Sequence, residues 1–337
     1  MTRFFLSLAE SGFIPDTIIK IAARYISNRR LNQDFTGDNK DKIINKLSKG
    51  VVAEKTYNAN EQHYEVPPEF FNFVLGVNLK YSCSLFDSVD SLDEAEESML
   101  KLYIERAGIK NGHEVLDLGC GWGSFSLYVA ERYPNIQITS ISNSNDQITF
   151  IKKEAQKRGL LNIKALKMDV NNLKLNKHFD RIISIEMFEH LRNYKLIMNS
   201  LNNLLKPDGR LFIHIFCHKE HTYFYEIKNN LDWMTKYFFQ GGIMPSKDIF
   251  QYFEGELEII NQWEINGNHY SKTCKAWLNN HYKNKKKILN IFEKHYDEPK
   301  IWFNRWRIFF LSCEAFFALN NGREYFVAHY LFKKPNQ

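Results

Sequence analysis

The chain has 337 residues, of which 44% are hydrophobic and 25% charged, and its net charge is +6. These values exclude a disordered chain and fit one elaborated domain or two small ones. The five cysteines are scattered and form no CxxC pair, which argues against a zinc knuckle or a disulfide framework. We therefore expect a globular protein of a reducing compartment.

The N-terminal apolar run is too short for an export signal, and no later segment approaches the roughly 20 apolar residues of a membrane span. These features predict a cytoplasmic location. The most basic run, Lys283–Lys287, is typical of a solvated helix face. Such a basic run can also bind an anionic membrane surface or nucleic acid. One short cluster is weak evidence for either, so we predict no nucleic-acid partner.

Residues 1–55 carry apolar residues such as Ile18, Ile19 and Ala22 at helical spacing, which predicts accessory helices. Within them, the stretch 33–42 is rich in Asn, Asp and Gly and predicts a loop. Residues 56–107 form a second segment. It contains a helix start at Pro67-Pro68, the sequence Tyr81-Ser82-Cys83 and a predicted helix over 92–107.

From residue 108 onward, predicted strands and helices alternate, which is the pattern of a parallel sheet with crossover helices. The strands are expected at 115–118, 136–141, 163–168, 179–185 and 210–216, and two further strands at 257–265 and 324–332. Aromatic-rich stretches at about 217–255 and 268–320 are predicted to be helical insertions. Such insertions would cover the carboxyl ends of the core strands, where ligands bind in open α/β sheets.

A glycine-rich turn follows the first of these strands. The sequence Glu114–Ser124 predicts a buried strand, a turn with Gly119, Gly121 and Gly123, and a helix that begins near Ser124. A side chain at any of the three glycines would hold the backbone away from a ligand at the helix N-terminus. The spacing is GxGxG, not the GxGxxG of dinucleotide-binding proteins. The alternative is a glycine-rich turn without a ligand, as in any doubly wound domain.

Together with Asn143–Gln147 and Leu205–Gly209, this turn resembles that of class I S-adenosylmethionine-dependent methyltransferases. More specific segments resemble the cyclopropane fatty acid synthase superfamily: Tyr81–Cys83, Glu186–His190, His214, Gly241–Ser246 and His269-Tyr270. Within that superfamily the chain is most similar to the coclaurine N-methyltransferase type, on Ile185–His190, Phe216–Lys219, Asp232–Lys236 and Arg305–Gly322. The similarity runs from about His63 to the C-terminus.

The resemblance implies a Rossmann-like, doubly wound α/β fold. Its mostly parallel sheet would have seven strands, with N-terminal helices and a helical insertion that covers the substrate. Residues 56–107 would cover cofactor and substrate, and S-adenosylmethionine would be the cofactor. The implied cofactor-binding residues are Tyr81, Ser82, Asp117, Gly119, Gly121, Gly123, Asn143, Gln147, Asp169, Val170 and Ile185. Asp169 is equally well explained as an ordinary turn or helix-cap residue.

The candidate chemistry lies in Glu186, Glu189 and His190, which follow the fourth strand. A helix N-terminus explains one carboxylate through its dipole, but not a Glu-x-x-Glu-His cluster. Methylation of an amine needs a neutral nitrogen in line with the sulfonium, so a neighbouring group must take the ammonium proton. Glu189 and His190 are the candidate bases, and Glu186 is the candidate partner of the substrate cation. We therefore predict N-methylation of a small cyclic or aryl amine.

The alternative reaction is cyclopropanation of unsaturated phospholipid at a membrane surface. In those synthases a bound bicarbonate acts as the base, and the residues that match its ligands here are Cys83, Glu189, His214 and Tyr270. Glu186 favours the amine, because a carboxylate beside an acyl chain would be costly to desolvate. A pseudoenzyme on the same fold would be expected to lose the Glu-His cluster, which is intact. A homodimer is left open.

Overall fold

The computed structural model describes residues 2–31, 40–54, 66–229, 232–253 and 255–335. Seven strands form one sheet: β1 (Glu114–Leu118), β2 (Gln137–Ser142), β3 (Ile163–Lys167), β4 (Phe179–Ile185), β5 (Leu205–His218), β8 (Glu258–Ile265) and β9 (Tyr325–Lys333). Their order is β3-β2-β1-β4-β5-β9-β8. Two short strands, β6 (Tyr223–Phe224) and β7 (Ile243–Met244), form a separate antiparallel pair.

Strands β1 to β5 pair in parallel, and β9 runs antiparallel to both β5 and β8. Val115, Leu116 and Leu118 of β1 are fully buried, as expected where helices cover both faces of a parallel sheet. This confirms the predicted Rossmann-like α/β fold of seven mostly parallel strands. The carboxyl ends of β1, β2 and β4 lie side by side at one edge, next to the glycine turn.

Twelve α-helices surround the sheet in the part of the chain that the structure describes. They are α1 (Thr2–Glu10), α2 (Asp16–Leu31), α3 (Lys40–Lys46), α4 (Pro68–Val74), α5 (Leu92–Ala107), α6 (Ser124–Arg132), α7 (Asn145–Lys157), α8 (Tyr194–Leu204), α9 (Trp233–Tyr237), α10 (Gly267–Lys283), α11 (Lys285–Phe292) and α12 (Pro299–Phe317). Local sequence explains the ends of α5: Ser91 caps its first turn, and Gly108 terminates it with a φ of +60°. None of the described helices has the length and apolarity needed to cross a bilayer.

The two N-terminal helices pack against the long insertion helix α12. Ion pairs join the elements: Lys20 lies 2.7 Å from Glu314, and Arg305 lies 3.1 Å from Glu10. Residues 33–39 of the predicted loop, and His63–Glu65 where the family similarity was expected to begin, lie outside the described residues. Lys40–Lys42, the end of the predicted loop, belong to helix α3.

The prediction of a helical insertion at 217–255 is wrong for most of that stretch. It holds the end of β5, the β6-β7 pair, the five-residue helix α9 and a 3₁₀ helix over Ile249–Phe253. Gly241, Gly242 and Pro245 interrupt the aromatic pattern, and Gly241 has a φ of +83°, which ends a regular helix. The second predicted insertion does form helices, α10 to α12, and its aromatic side chains pack mostly into the core.

Candidate active site

The glycine turn joins β1 to α6, and all three of its glycines have positive φ. A Cβ on Gly121 would meet no atom within 4 Å, so this position faces open space. A Cβ on Gly119 would lie 2.6 Å from Met187, and one on Gly123 would lie 2.7 Å from Ile151. That all three make room for a ligand stays a prediction. Gly119 and Gly123 also make room for neighbouring side chains.

Two cavities meet at this turn, with empty volumes of about 670 and about 560 Å³, each partly open to solvent. Gly119, Gly121, Gln147 and Glu186 line both. Of the other predicted cofactor residues, Asn143 and Val170 line the first cavity, and Tyr81, Ser82, Asp117 and Ile185 line the second. Together the cavities form one groove over the carboxyl ends of β1, β2 and β4.

The groove fits a polar nucleoside-amino acid cofactor. Two polar atoms at its wall, Gln147 Nε2 and Ser124 Oγ, are buried and have no hydrogen-bond partner among the described residues. Such orphaned groups indicate a missing ligand. Asp117 lies at the floor, where the Ser126 hydroxyl donates to it at 2.6 Å. Burial raises the pKa of Asp117 to about 7.

Two predicted cofactor residues, Asp169 and Gly123, are not among the described residues that line the two cavities. Asp169 accepts a hydrogen bond from the backbone N–H of Asn171 at 2.8 Å and caps a 3₁₀ helix, which is the alternative role considered for it. Gly123 packs against Ile151 and begins helix α6. A direct contact of either residue with the cofactor stays a prediction.

Glu186 lies at the junction of the two cavities, directly after β4, with a φ of +47°. Its Oε1 accepts from the backbone N–H of Cys83 at 2.9 Å and lies 3.0 Å from His214 Nε2. Its Oε2 accepts from the Tyr270 hydroxyl at 2.5 Å. The structure thus brings Cys83, His214 and Tyr270 together as predicted, but around a protein carboxylate. A left-handed non-glycine residue at such a position is typical of functional sites.

Lys80 also faces this site, and sequence analysis missed it. Its side chain is 2% exposed, and its Nζ donates to Ser82 Oγ at 2.6 Å. Burial lowers the pKa of Lys80 to about 8, which leaves the ammonium charged at neutral pH. Burial raises the pKa of Glu186, and the Lys80 charge opposes that rise. Nothing in the local sequence distinguishes this lysine from a surface one.

Glu189 and His190 occupy different environments, although they are adjacent on a 3₁₀ helix. His190 lines the first cavity, and burial lowers its pKa to about 4. Glu189 is fully buried, and its Oε1 accepts from the backbone N–H of Phe216 at 2.9 Å. Burial raises the pKa of Glu189 well above its usual value. Glu189 therefore lies apart from the other residues of the predicted bicarbonate set, because its Oε1 accepts from a strand N–H and not from the Glu186 cluster.

Aromatic rings connect the groove residues His190 and Glu186. Centroid distances are 5.5 Å from His190 to Phe239, 5.6 Å from Phe239 to Phe216, 6.2 Å from Phe216 to Phe317 and 4.3 Å from Phe317 to Tyr270, which bonds Glu186. Three of these rings, Phe216, Phe317 and Tyr270, are buried in the core, together with Trp306, Phe309 and Phe310.

The segment before residue 55, which carried no recognisable motif, also contributes to the groove. Ala53 and Glu54 line the first cavity. Paired hydrogen bonds of 3.0 Å join the Ala53 backbone to the Asn171 amide, and the Arg192 N–H donates to the carbonyl of Val52 at 2.7 Å. These contacts could not be predicted because the partners are more than a hundred residues apart in sequence.

Residues 52–324 match the mycolic acid cyclopropane synthetase family. The (S)-coclaurine N-methyltransferase of Thalictrum flavum subsp. glaucum is 38% identical, over 98% of this chain and 95% of the relative. A crystal structure of coclaurine N-methyltransferase bound to N-methylheliamine and SAH superposes with a TM-score of 0.92 at 36% identity, over 98% of this chain and 99% of that one. The cyclopropane-fatty-acyl-phospholipid synthase of Escherichia coli K12 is 31% identical over 66% of this chain and 56% of its own length.

These similarities agree with the glycine turn, the polar groove and the Glu186 cluster. They also establish the cofactor, because SAH is the demethylated product of S-adenosylmethionine. The chain belongs to the mycolic acid cyclopropane synthetase family and is an S-adenosylmethionine-dependent methyltransferase.

Proposed function

We propose that the protein transfers the methyl group of S-adenosylmethionine to the nitrogen of a small cyclic or aryl amine, of the class to which coclaurine belongs. The observation that carries the proposal is Glu186, a buried carboxylate at the junction of the two cavities. At an effective dielectric of about 20, a charge pair at roughly 4 Å is worth about 4 kcal/mol before desolvation. That is enough to favour an ammonium over a neutral acyl chain.

The bound cofactor supplies an electrophilic methyl carbon on a sulfonium. Gly121, Gln147, Ser82 and the other groove residues hold it across the carboxyl ends of β1 and β2. Glu186 orients the amine, and His190 accepts the proton that the ammonium must lose before its lone pair can attack. Burial lowers the pKa of His190 to about 4, so its imidazole is neutral at neutral pH and carries a lone pair for that proton. Glu189, whose pKa burial raises well above its usual value, is the second candidate base.

The bicarbonate alternative is less well supported by the geometry. Three of the four residues expected to bind bicarbonate, Cys83, His214 and Tyr270, direct their donors at Glu186. A carboxylate and a bicarbonate have the same planar, anionic oxygen pair. Glu186 therefore occupies the place of the external anion, and the protein has no need of a bound base there.

The proposal is tested by incubating the purified protein with methyl-labelled S-adenosylmethionine and two substrate sets. One set holds cyclic and aryl amines, and the other holds vesicles of an unsaturated phosphatidylglycerol. We expect label in an amine product, at a rate that does not change when bicarbonate is removed from the buffer. Label in the lipid, with none in any amine, would replace this function by cyclopropanation.

One variant distinguishes amine binding by Glu186 from binding of bicarbonate by the residues around it. Glu186→Gly removes the carboxylate and leaves Cys83, His214 and Tyr270 in place. We expect it to weaken amine methylation through a higher KM, and added bicarbonate to restore part of the turnover. An unchanged KM would show that Glu186 does not bind the amine.

One further proposal rests on the sequence. We propose a cytoplasmic location, which composition favours and which cell fractionation tests. Analytical ultracentrifugation tests the homodimer that the sequence left open.

A further inference from the structure

His214, the imidazole that contacts Glu186, is the end of a buried polar chain. Its Nδ1 lies 2.9 Å from His329 Nε2 and 2.8 Å from the Tyr103 hydroxyl. His329 Nδ1 in turn lies 2.7 Å from Arg106 NH1. The side chains of His214, His329 and Tyr103 are fully buried, whereas Arg106 reaches the half-exposed end of helix α5.

Sheet register and helix periodicity create this chain from residues far apart in sequence. His214 on β5 is paired directly with His329 on the antiparallel strand β9. Tyr103 and Arg106 are three residues apart on α5 and so point from the same face of that helix. Arg106 and His329 are separated by 223 residues in the chain.

Arg106, the donor at the solvent end of this chain, determines which ring nitrogen of His329 and of His214 carries the proton. A guanidinium can only donate, so His329 Nδ1 must accept and the His329 ring proton must lie on Nε2. His329 Nε2–H then donates to His214 Nδ1. The proton of His214 is therefore on Nε2, where it donates to Glu186 Oε1. Both imidazoles are neutral, because burial lowers their pKa values well below the usual range.

A second chain reaches the same atom from Lys80. The Lys80 ammonium, which also can only donate, bonds Ser82 Oγ at 2.6 Å. The Ser82 hydroxyl hydrogen-bonds Tyr103, and the Tyr103 hydroxyl lies 2.8 Å from His214 Nδ1. The Tyr103 hydroxyl can donate to His214 Nδ1, so this second chain is compatible with the tautomer that Arg106 determines. Because a hydroxyl can also accept, the second chain does not by itself require that tautomer.

We propose that Arg106 is a positioning residue for methyl transfer, which locks His214 as a permanent donor to Glu186. The proposal rests on the proposed role of Glu186 in binding the amine. Because His214 Nε2 already carries a proton and Arg106 cannot accept one, the chain cannot carry protons away from Glu186. The carboxylate is therefore held in one orientation, toward the groove, and the proton released from the substrate leaves through the groove.

The tautomers are measurable without substrate, by ¹⁵N NMR of protein labelled at histidine. We expect the wild-type His214 and His329 both to carry their proton on Nε2. Arg106→Gln presents a carbonyl that can accept from Nδ1, so His329 should shift toward its Nδ1–H tautomer and kcat should fall about tenfold. Arg106→Lys keeps an obligate donor and should restore most of that loss. Cofactor affinity should be unchanged in both variants.

A wild-type spectrum with His214 protonated on Nδ1 would overturn the proposal, and so would an Arg106→Gln variant with wild-type kcat. If that variant fails to fold, the wild-type spectrum still decides. Tyr103→Phe, which removes one donor and keeps the ring, should leave the His214 tautomer unchanged because His329 still donates. The proposed function fails independently: expected tautomers together with no methylation of any amine would reject the function and keep the assignment of protons.

Discussion

Two buried regions of this protein differ in whether their polar side-chain atoms are hydrogen-bonded. Around Glu186, both carboxylate oxygens are hydrogen-bonded, by Cys83, His214 and Tyr270. In the aromatic core beneath helices α10 to α12, the ring nitrogens Trp277 Nε1, Trp306 Nε1 and His281 Nδ1 have no hydrogen-bond partner among the described residues. The unpartnered nitrogens lie in the more deeply buried of the two regions, so burial alone does not explain the difference.

The difference indicates that the region around Glu186 is organised for catalysis and the aromatic core for stability. A buried charge is tolerated only when donors surround it, and those donors also fix its orientation, which catalysis needs. The aromatic core relies on ring contacts such as Phe70 to Trp306 at 4.6 Å and His281 to Phe303 at 3.9 Å. Such contacts stabilise without specifying direction. Substitutions near Glu186 should therefore cost turnover, and substitutions in the aromatic core should cost stability.

The largest expected effect is on stability, from Phe292→Ala. Phe292 is fully buried and packs against Phe70 at 5.3 Å and Tyr296 at 5.1 Å. Removing the ring should lower the free energy of unfolding by about 3–5 kcal/mol, measured by denaturant titration. The control Phe292→Leu nearly conserves volume and should cost less than about 1.5 kcal/mol. A loss of turnover in the still-folded Phe292→Ala protein would break the comparison.

Glu186→Gln should have the next largest effect, and on catalysis. The amide keeps one acceptor oxygen and turns its NH₂ group toward donors, so it cannot satisfy both sides of the cluster. We expect kcat/KM for the amine to fall about 10³-fold, equivalent to about 4 kcal/mol. Thermal unfolding should be unchanged or slightly raised, because a buried charge is removed. A large drop in melting temperature would show that Glu186 is structural.

His190→Ala should lower kcat about 10²-fold at unchanged cofactor affinity, which is the usual scale for a general base. Glu189→Gln is the companion variant. Its amide oxygen can still accept from Phe216 N–H, so we expect the fold to be kept and any loss of turnover to report the ionisable carboxyl group of Glu189. Single-turnover kinetics distinguish chemistry from binding. Near-wild-type turnover in both variants would leave proton removal to water.

Two glycines of the same turn, Gly121 and Gly123, should respond differently to substitution by alanine. Gly121→Ala places a methyl group in the open groove, so cofactor affinity should fall at least tenfold. Gly123→Ala drives a Cβ against Ile151 and should instead lower stability, by about 1–3 kcal/mol. Calorimetry with S-adenosylhomocysteine and thermal unfolding measure the two effects. Equal affinity losses in both variants would show that Gly123 also contacts the cofactor.

The effect that is smallest at neutral pH is a pH dependence from His281. Its Nε2–H donates to the Phe303 carbonyl at 3.0 Å, and burial lowers its pKa to about 3. The unfolded imidazole binds a proton below about pH 6.5, so the stability from His281 is present above that pH and is lost as pH falls toward 3. His281→Leu should flatten the loss of stability on acidification by about 1.4 kcal/mol per pH unit in this window. An unchanged slope would contradict the assigned burial.

Several elements of the fold could be predicted because their signals are local. Strands β1 to β4 are short apolar runs bounded by turn residues, and α5 begins at a serine cap and ends at a glycine. The stretch 217–255 could not be predicted, because its aromatic side chains are compatible with a helix until two glycines and a proline interrupt them. Its two short strands, β6 and β7, exist only because they pair with each other.

By itself, the sequence determined the sheet, the glycine turn and the identity of the groups after β4, since each depends on neighbours within a few residues. Only the tertiary structure decided what those groups do. Glu186 meets Cys83 and Tyr270 from 103 and 84 residues away, and its neighbour Glu189 turns toward β5. The partners Lys80, Tyr103, Arg106 and His329 have no sequence signature. Their roles come from strand register and helix packing, which bring distant residues within hydrogen-bond distance of one carboxylate.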